Sequence, residues 1–475
     1  MFMKNKTQET LSKAACSLLA LAMIAGPSFA DETATLSIKS IPNVNVRMYG
    51  FIENDLINDT KQLVTGSKVV EELDNPTIPK ANAATYAGRH GETIDSIRNS
   101  RLGFDVTLPK TENGFATEGI FEFDFLGNQA ANITPGQTTA APQTQTERDF
   151  FNNATVRVRH AYMNLTYNDA WNAKIGQTWS LLGWQPYYFP SEADVQPNVG
   201  QLYRRFSQIR LTNTSKLLDE NWTIESAIDA AKPAQLDSAL PEGHAGLRLA
   251  STKYKAVSGL GSSTPMVGLS LAASAAVIPV RTSGAALAGV AHTNATPDQT
   301  GTVVAFDALI PIIPSSDGKS TSNTLALTME YSNGTGYGGL EVAGATGGLG
   351  APGDGAIGTT GTGPLDSGIA GVSAGGNLDL IHLQTYRGNF TYMWPGSHFA
   401  NSIGYAETDI LNMADFAPAA TQILKYQYYY GNVMYLPLTW LRFALEWAQI
   451  KNQYNDVANR YAYDNRIQFT TYLTF

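Results

Sequence analysis

The chain has 475 residues, a formal charge of −9, only 15% charged residues and a single cysteine, against 43 Gly, 22 Tyr and 19 Phe. The acidic balance argues against a nucleic-acid partner, and the lone cysteine excludes a disulfide framework and a thiolate metal site. Past the amino-terminal segment, no stretch reaches the roughly 18 uninterrupted apolar residues of a spanning helix, while glycine and aromatic enrichment favours β structure with many turns.

Residues 1–30 read as a secretory signal peptide. Lys4, Lys6 and Lys13 precede the apolar run from Leu18 to Ala25, Gly26-Pro27 breaks it, and Ser28-Phe29-Ala30 predicts cleavage after Ala30. Cys16 leaves with this segment, and Lys13-Ala14-Ala15 before it is a poor lipoprotein box, so no lipid anchor is expected. The segment holds three lysines and one glutamate, so its removal takes the net charge of −9 to near −11. Export without helical anchors leaves a periplasmic protein, a secreted protein or a barrel. Residues 31–43 read as a short periplasmic amino-terminal segment, and 44–475 as the barrel.

From Val44 onward, alternating segments recur near 44–55, 97–108, 115–126, 155–167, 171–179, 206–214, 221–230, 244–256, 264–278, 301–310, 323–333, 380–393, 398–409, 424–436, 439–451 and 464–475. That is about 16 strands of the length a tilted membrane strand needs. The connections alternate in length. Short turns fall at 109–114, 168–169, 215–220, 258–263, 311–322, 395–396 and 436–437; between them lie the longer stretches 56–96, 127–154, 180–205, 231–243, 279–300, 334–379, 410–423 and 452–463. This alternation predicts an all-β, transmembrane, antiparallel up-and-down β-barrel with its short turns on the periplasmic rim. Trp171, Trp222, Trp394 and Trp440 border the short turns, where an aromatic girdle belongs. Residues 334–379 are a Gly-rich outer loop.

The closing stretch alternates strictly. Ile467, Phe469, Thr471, Leu473 and Phe475 face one way and Arg466, Gln468, Thr470, Tyr472 and Thr474 the other. Phe469, Leu473 and Phe475 are the expected assembly signal for the barrel-assembly machinery.

The same parity places Arg47, Arg101, Arg157, Arg159, Lys174, Arg210, Arg248, Arg387, Arg442 and Arg466 opposite the apolar face. A lipid-facing arginine costs about 2–4 kcal/mol near the bilayer midplane, so these should line the lumen. Glu53, Asp105, Glu122, Asp124, Glu225, Asp229, Glu330 and Glu446 share that side, which leaves either a neutralised wall or an arginine-rich side that attracts anions. The connection 180–205 is too apolar for an exposed loop, with Leu181, Leu182, Trp184, Tyr187, Tyr188 and Phe189, followed by Glu192, Asp194 and Tyr203-Arg204-Arg205. Folded inward it narrows the pore, with Glu192 and Asp194 facing arginines on the wall, and Arg101, Arg157, Arg159, Arg204, Arg205 and Arg210 are with them the pore-lining candidates for selectivity. The alternatives are a rim or trimer-contact loop, and a stacking path for sugars or aromatic substrates along Trp179, Trp184, Tyr187 and Tyr188.

Three pieces in order, Arg157-Val158-Arg159-His160-Ala161-Tyr162, Ile175-Gly176-Gln177-Thr178-Trp179-Ser180 and Arg205-Phe206-Ser207-Gln208-Ile209-Arg210-Leu211-Thr212, resemble the DcaP-like porins of Gram-negative bacteria. Ser100 to Phe104 and Tyr49 to Ile52 fit as well. The resemblance covers about the first half of the exported chain and the closing strand. It implies a homotrimer of sixteen-stranded channels passing small anions, dicarboxylates among them. The amino-terminal coiled coil frequent in that family has no room in residues 31–43.

Enzyme signals are weak. The six histidines show no metal-ligand spacing, and Asp317-Gly318-Lys319-Ser320 resembles the end of a phosphate loop but has Ile313 where the first glycine belongs. The expectation is an outer-membrane porin for passive diffusion, non-enzymatic, with no cofactor or metal, in contact with outer-membrane lipid and lipopolysaccharide. A barrel-type hydrolase and an adhesin are the readings from other classes.

Overall fold

The computed structural model describes residues 35–38, 41–61, 91–127, 155–193, 199–232, 240–259, 266–281, 298–338, 369–372, 378–416, 423–455, 457–458 and 460–475. The expected signal peptide, Asp194 and most of the Gly-rich stretch 334–379 lie outside the described residues.

Sixteen antiparallel strands close on themselves. They are β1 (Ile41–Asp59), β2 in two pieces (Glu92–Ser96 and Arg101–Leu108), β3 (Phe115–Gly127) and β4 (Thr155–Tyr167). Next come β5 (Trp171–Trp179), β6 (Arg205–Leu217), β7 (Asp219–Ala231) and β8 (Glu242–Val257). β9 (Met266–Arg281), β10 (Asp298–Ile313), β11 (Thr324–Thr335) and β12 (His382–Met393) follow. The wall ends with β13 (Phe399–Ile410), β14 (Ile423–Leu438), β15 (Leu441–Tyr454) and β16 (Tyr461–Thr474). β16 pairs with β1 from Phe51↔Thr474 to Asp59↔Arg466, and Gly50 and Phe475 exchange two backbone hydrogen bonds of 3.0 Å. Closure leaves no edge for lipid to desolvate.

Alternation sorts the residues as the closing stretch predicts. Ile467, Phe469 and Leu473 are exposed on the outside, whereas Arg466, Gln468, Thr470 and Tyr472 are buried inside. Ile52, Phe121, Ile209, Ile228, Leu247 and Ile403 continue the outer apolar band. At the short-turn rim Trp171, Trp394 and Trp440 stand exposed and Trp222 is half-buried. In the turn after β4, Asn168 and Asp169 have φ of 49° and 58°, the left-handed pair of a type I′ hairpin.

Boundaries differ from expectation in several places, the turn predicted at 215–220 among them, which shrinks to Leu218. β1 starts at Ile41 and runs to Asp59, and β2 begins at Glu92, so the connection predicted at 56–96 is shorter. The turn predicted at 436–437 lies at Thr439-Trp440, because Pro437 sits in a register shift between Tyr435 and Leu438, where no ladder donor is required. Pro311 occupies a similar shift near the end of β10, so that strand outruns its predicted stop.

Aromatic rings and glycines interlock across strands. A Cβ on Gly103 would meet the Tyr49 ring at 2.3 Å, and one on Gly404 the Tyr430 ring at 2.1 Å, so each glycine makes room for its neighbour's ring.

Candidate functional site

Inward side chains of β2 to β6 gather at one end of the connection 180–204. β3 and β4 slip register between Glu122 and Phe123, where His160 and Val158 are the partners on β4. A bulge of this kind re-aims side chains. Arg157, Arg159 and His160 all turn toward Glu122 and Asp124, while Val156 and Val158 stay exposed outside. Strict parity cannot put Arg159 and His160 on one side; the bulge does.

The Gly176-Gln177-Thr178-Trp179-Ser180 motif builds the rest. Gly176, with φ of 126°, sits 2.3 Å from the Ala161 carbonyl, measured from an added Cβ, so no side chain fits there. Gln177 donates to the Val158 and Arg159 carbonyls at the bulge, at 2.8 and 3.3 Å. Thr178 Oγ1 lies 3.1 Å from His160 Nδ1. Trp179 stacks under Arg205 at 4.5 Å and beside Arg159 at 5.7 Å, with Tyr203 at 4.7 Å and Phe189 at 5.0 Å. Ser180 closes the base of the connection by donating its N–H to the Arg204 carbonyl at 2.9 Å.

The arginines differ in their partners. Arg157 bonds Asp124 at 2.8 and 3.0 Å, and Arg159 bonds Glu122 at 2.7 Å and Asp124 at 3.0 Å. Arg204 pairs with Glu242 at 2.9 Å and Arg210 with Asp229 at 3.3 Å. Arg101 lies over Phe51 at 5.1 Å, opposite Asp124 in register. Arg205 forms no ion pair among the described residues and is held by two π faces, Trp179 at 4.5 Å and Tyr203 at 5.3 Å. Among the described residues, four cations, Arg101, Arg157, Arg159 and Arg205, stand near two carboxylates, Glu122 and Asp124. Tyr203 reports the resulting field: burial pushes its phenol up, yet Arg159, Arg205 and Arg101 outweigh that and hold it below the usual tyrosine range.

The middle of the connection is bonded to inward side chains on the opposite wall. Gly183 N–H donates to Ser274 Oγ at 2.9 Å, Leu202 N–H to Glu330 at 2.9 Å, Ser191 N–H to Asn389 at 3.2 Å and Ala193 N–H to Glu446 at 2.9 Å. Asn432 donates to the Ser191 carbonyl at 3.0 Å, Arg442 to that of Ala193 at 3.3 Å, and Arg387 to that of Tyr188. Glu330, Glu446, Arg387 and Arg442 thus anchor backbone, a use that inward parity alone did not distinguish from lining a pore.

Two expectations change. Glu192 is buried within electrostatic reach of Tyr430, and the acids paired with the predicted arginines among the described residues are Glu122 and Asp124 for Arg157 and Arg159, Glu242 for Arg204 and Asp229 for Arg210. Trp184 and Tyr188 are packing anchors rather than open stacking faces. Trp184 is 4% exposed, donates its indole N–H to the Ala273 carbonyl at 3.2 Å, and fits where a Cβ on Gly246 would come within 2.7 Å. Tyr188 is 1% exposed with its hydroxyl 2.5 Å from Ser270 Oγ. Tyr187 differs, 47% exposed with Arg248 stacked on its ring at 3.8 Å. The phosphate-loop fragment is a turn: Asp317 accepts the Lys319 and Ser320 N–H groups at 2.8 and 2.6 Å, filling with its own carboxylate the place an anion would take.

An apolar exterior, sixteen closed strands and an interior in which buried charged and polar side chains stand beside a packed apolar cluster define an outer-membrane β-barrel of porin architecture. The fold is similar to that of the outer-membrane channel DcaP of Acinetobacter baumannii, with a TM-score of 0.60 at 17% identity over 93% of this chain and 100% of that one. An anion-selective porin from Comamonas acidovorans (TM-score 0.49, 10% identity, 91% and 100% of the two chains) and OmpF of Salmonella typhi in complex with daunomycin (0.49, 11%, 91% and 98%) also align. No family model matches the sequence, and no curated protein does.

Proposed function

We propose that the protein is a porin for passive diffusion of small hydrophilic solutes, with a preference for anions of the dicarboxylate type. The observation that carries this reading is Arg205: a guanidinium without an ion-pair partner among the described residues, held between the Trp179 and Tyr203 rings. In a low-dielectric constriction such local charge outweighs formal charge on distant loops, which salt screens beyond about 8–10 Å. Arg101, Arg157, Arg159 and Arg205 set the field, the neutralised Arg204 and Arg210 pairs shape the wall, and the connection 180–205 sets the width. The test is liposome swelling with a four-carbon dicarboxylate and with a neutral polyol of equal size. Faster entry of the dicarboxylate, lost in Arg205→Gln, is expected; equal rates for the two solutes in the intact protein would end the anion reading.

A second reading, a channel with a stacking contact for sugars or aromatic acids, keeps one observation in its favour, the exposed Tyr187 ring backed by Arg248. We also propose assembly as a homotrimer. Its support is a polar line on the outer face of β1 and β2, where Asn54 donates to Asp95 at 2.6 Å and Asn58 to Thr93 at 2.9 Å, groups that lipid tails solvate poorly and a neighbouring subunit can cover.

A further inference from the structure

The outer end of β15 and β16 carries two cations on one ring. Lys451 Nζ lies 4.4 Å from the centroid of Tyr461 and 5.8 Å from that of Tyr463, and the Arg460 guanidinium lies 5.8 Å from Tyr461. With its amide oxygen turned toward Arg460, Gln453 accepts from that guanidinium at 2.8 and 3.2 Å. These side chains are on the outside of the barrel: Lys451 shares its face with the exposed Leu445 and Trp447, and Tyr461 and Tyr463 are exposed as well. Neither cation forms an ion pair among the described residues. The contrast with Lys425 on neighbouring β14 is sharp, since that ammonium is saturated by Glu407 at 2.5 Å and Asp409 at 2.9 Å.

The height of the pair follows from strand geometry. Lys451 is ten residues along β15 from Leu441 at the short-turn rim. At about 3.3 Å per residue and a tilt near 40°, ten residues climb about 25 Å, the height of the apolar band. The pair therefore stands at the outer boundary of the hydrocarbon layer, where like charges with no counter-ion among the described residues call for an external anion and the tyrosine rings suit a headgroup level.

We propose that Lys451, Arg460, Tyr461 and Tyr463 form a docking site for the phosphate of a phosphorylated glycolipid in the outer leaflet. The proposal rests on the outer-membrane address but not on the pore reading, because these side chains face away from the lumen. Its test is native mass spectrometry of the detergent-solubilised full chain with diphosphorylated lipid A, fully dephosphorylated lipid A and inorganic phosphate. The intact protein is expected to retain the phosphorylated lipid at least tenfold more tightly than the dephosphorylated one. Lys451→Gln with Arg460→Gln should abolish that difference while heat-modifiable migration and single-channel conductance persist. Equal retention of the two lipids by the intact protein overturns the proposal, as does an unchanged difference in the double variant. Displacement of the lipid by millimolar inorganic phosphate would reduce the pair to a general anion site and overturn the glycolipid assignment.

Discussion

At the scale of single residues, the constriction candidate turns on how two side chains share one field. Deprotonation of Tyr203 would put a negative charge beside Arg159 and Arg205, and those cations already hold its phenol below the usual range. Anion preference should therefore fall as pH rises, beginning below the value of about 10 typical of a free tyrosine. Reversal potentials recorded across an alkaline pH series check this, and Tyr203→Phe should flatten the response; an intact channel with no pH dependence contradicts it. Which arginines point inward was legible in the sequence because the lipid penalty on an outward guanidinium is large. Which of them are neutralised was not, since pairing depends on cross-strand register, and the bulge that aims Arg159 at Glu122 and Asp124 leaves no mark in parity.

Among the elements, the connection 180–204 has the most to explain. Its apolar content announced an inward address, but its contacts fix the position through backbone groups bonded to Ser274, Glu330, Asn389, Asn432 and Glu446. Such polar docking looks in sequence like ordinary lumen lining, so Trp184 and Tyr188 read equally well as a substrate path. Thr391 Oγ1 donates to Ser191 Oγ at 2.9 Å, so the two side chains are in direct contact. The pair Ser191→Cys and Thr391→Cys is expected to oxidise with conductance unchanged, because the connection already rests there. Persistent free thiols, or a conductance drop on oxidation, would show that it moves. At the seam, removing Phe475 deletes two 3.0 Å backbone hydrogen bonds to Gly50 together with an exposed aromatic side chain. Heat-modifiable protein in the outer membrane should fall severalfold while export is unaffected; equal membrane levels would argue that closure does not depend on this residue.

For the whole molecule, strand number, closure and the alternation of long and short connections followed from a repeat of two and from the spacing of turn residues. Boundaries failed where proline sat inside a bulge, at Pro311 and Pro437, because proline reads as a turn signal wherever it stands. Net charge misleads at this scale: −9 over the chain suggests a cation channel, whereas among the described residues the group around Trp179 holds more guanidinium than carboxylate. The central claim is that this local group sets selectivity, and the most direct measurement is the reversal potential of single channels in a planar bilayer across a tenfold potassium chloride gradient. Stepwise conductance with a reversal potential on the chloride side is expected for the intact protein, moving toward the potassium side in Arg205→Gln at unchanged heat-modifiable migration. A reversal potential on the potassium side for the intact protein, or one that Arg205→Gln leaves in place, would contradict the account.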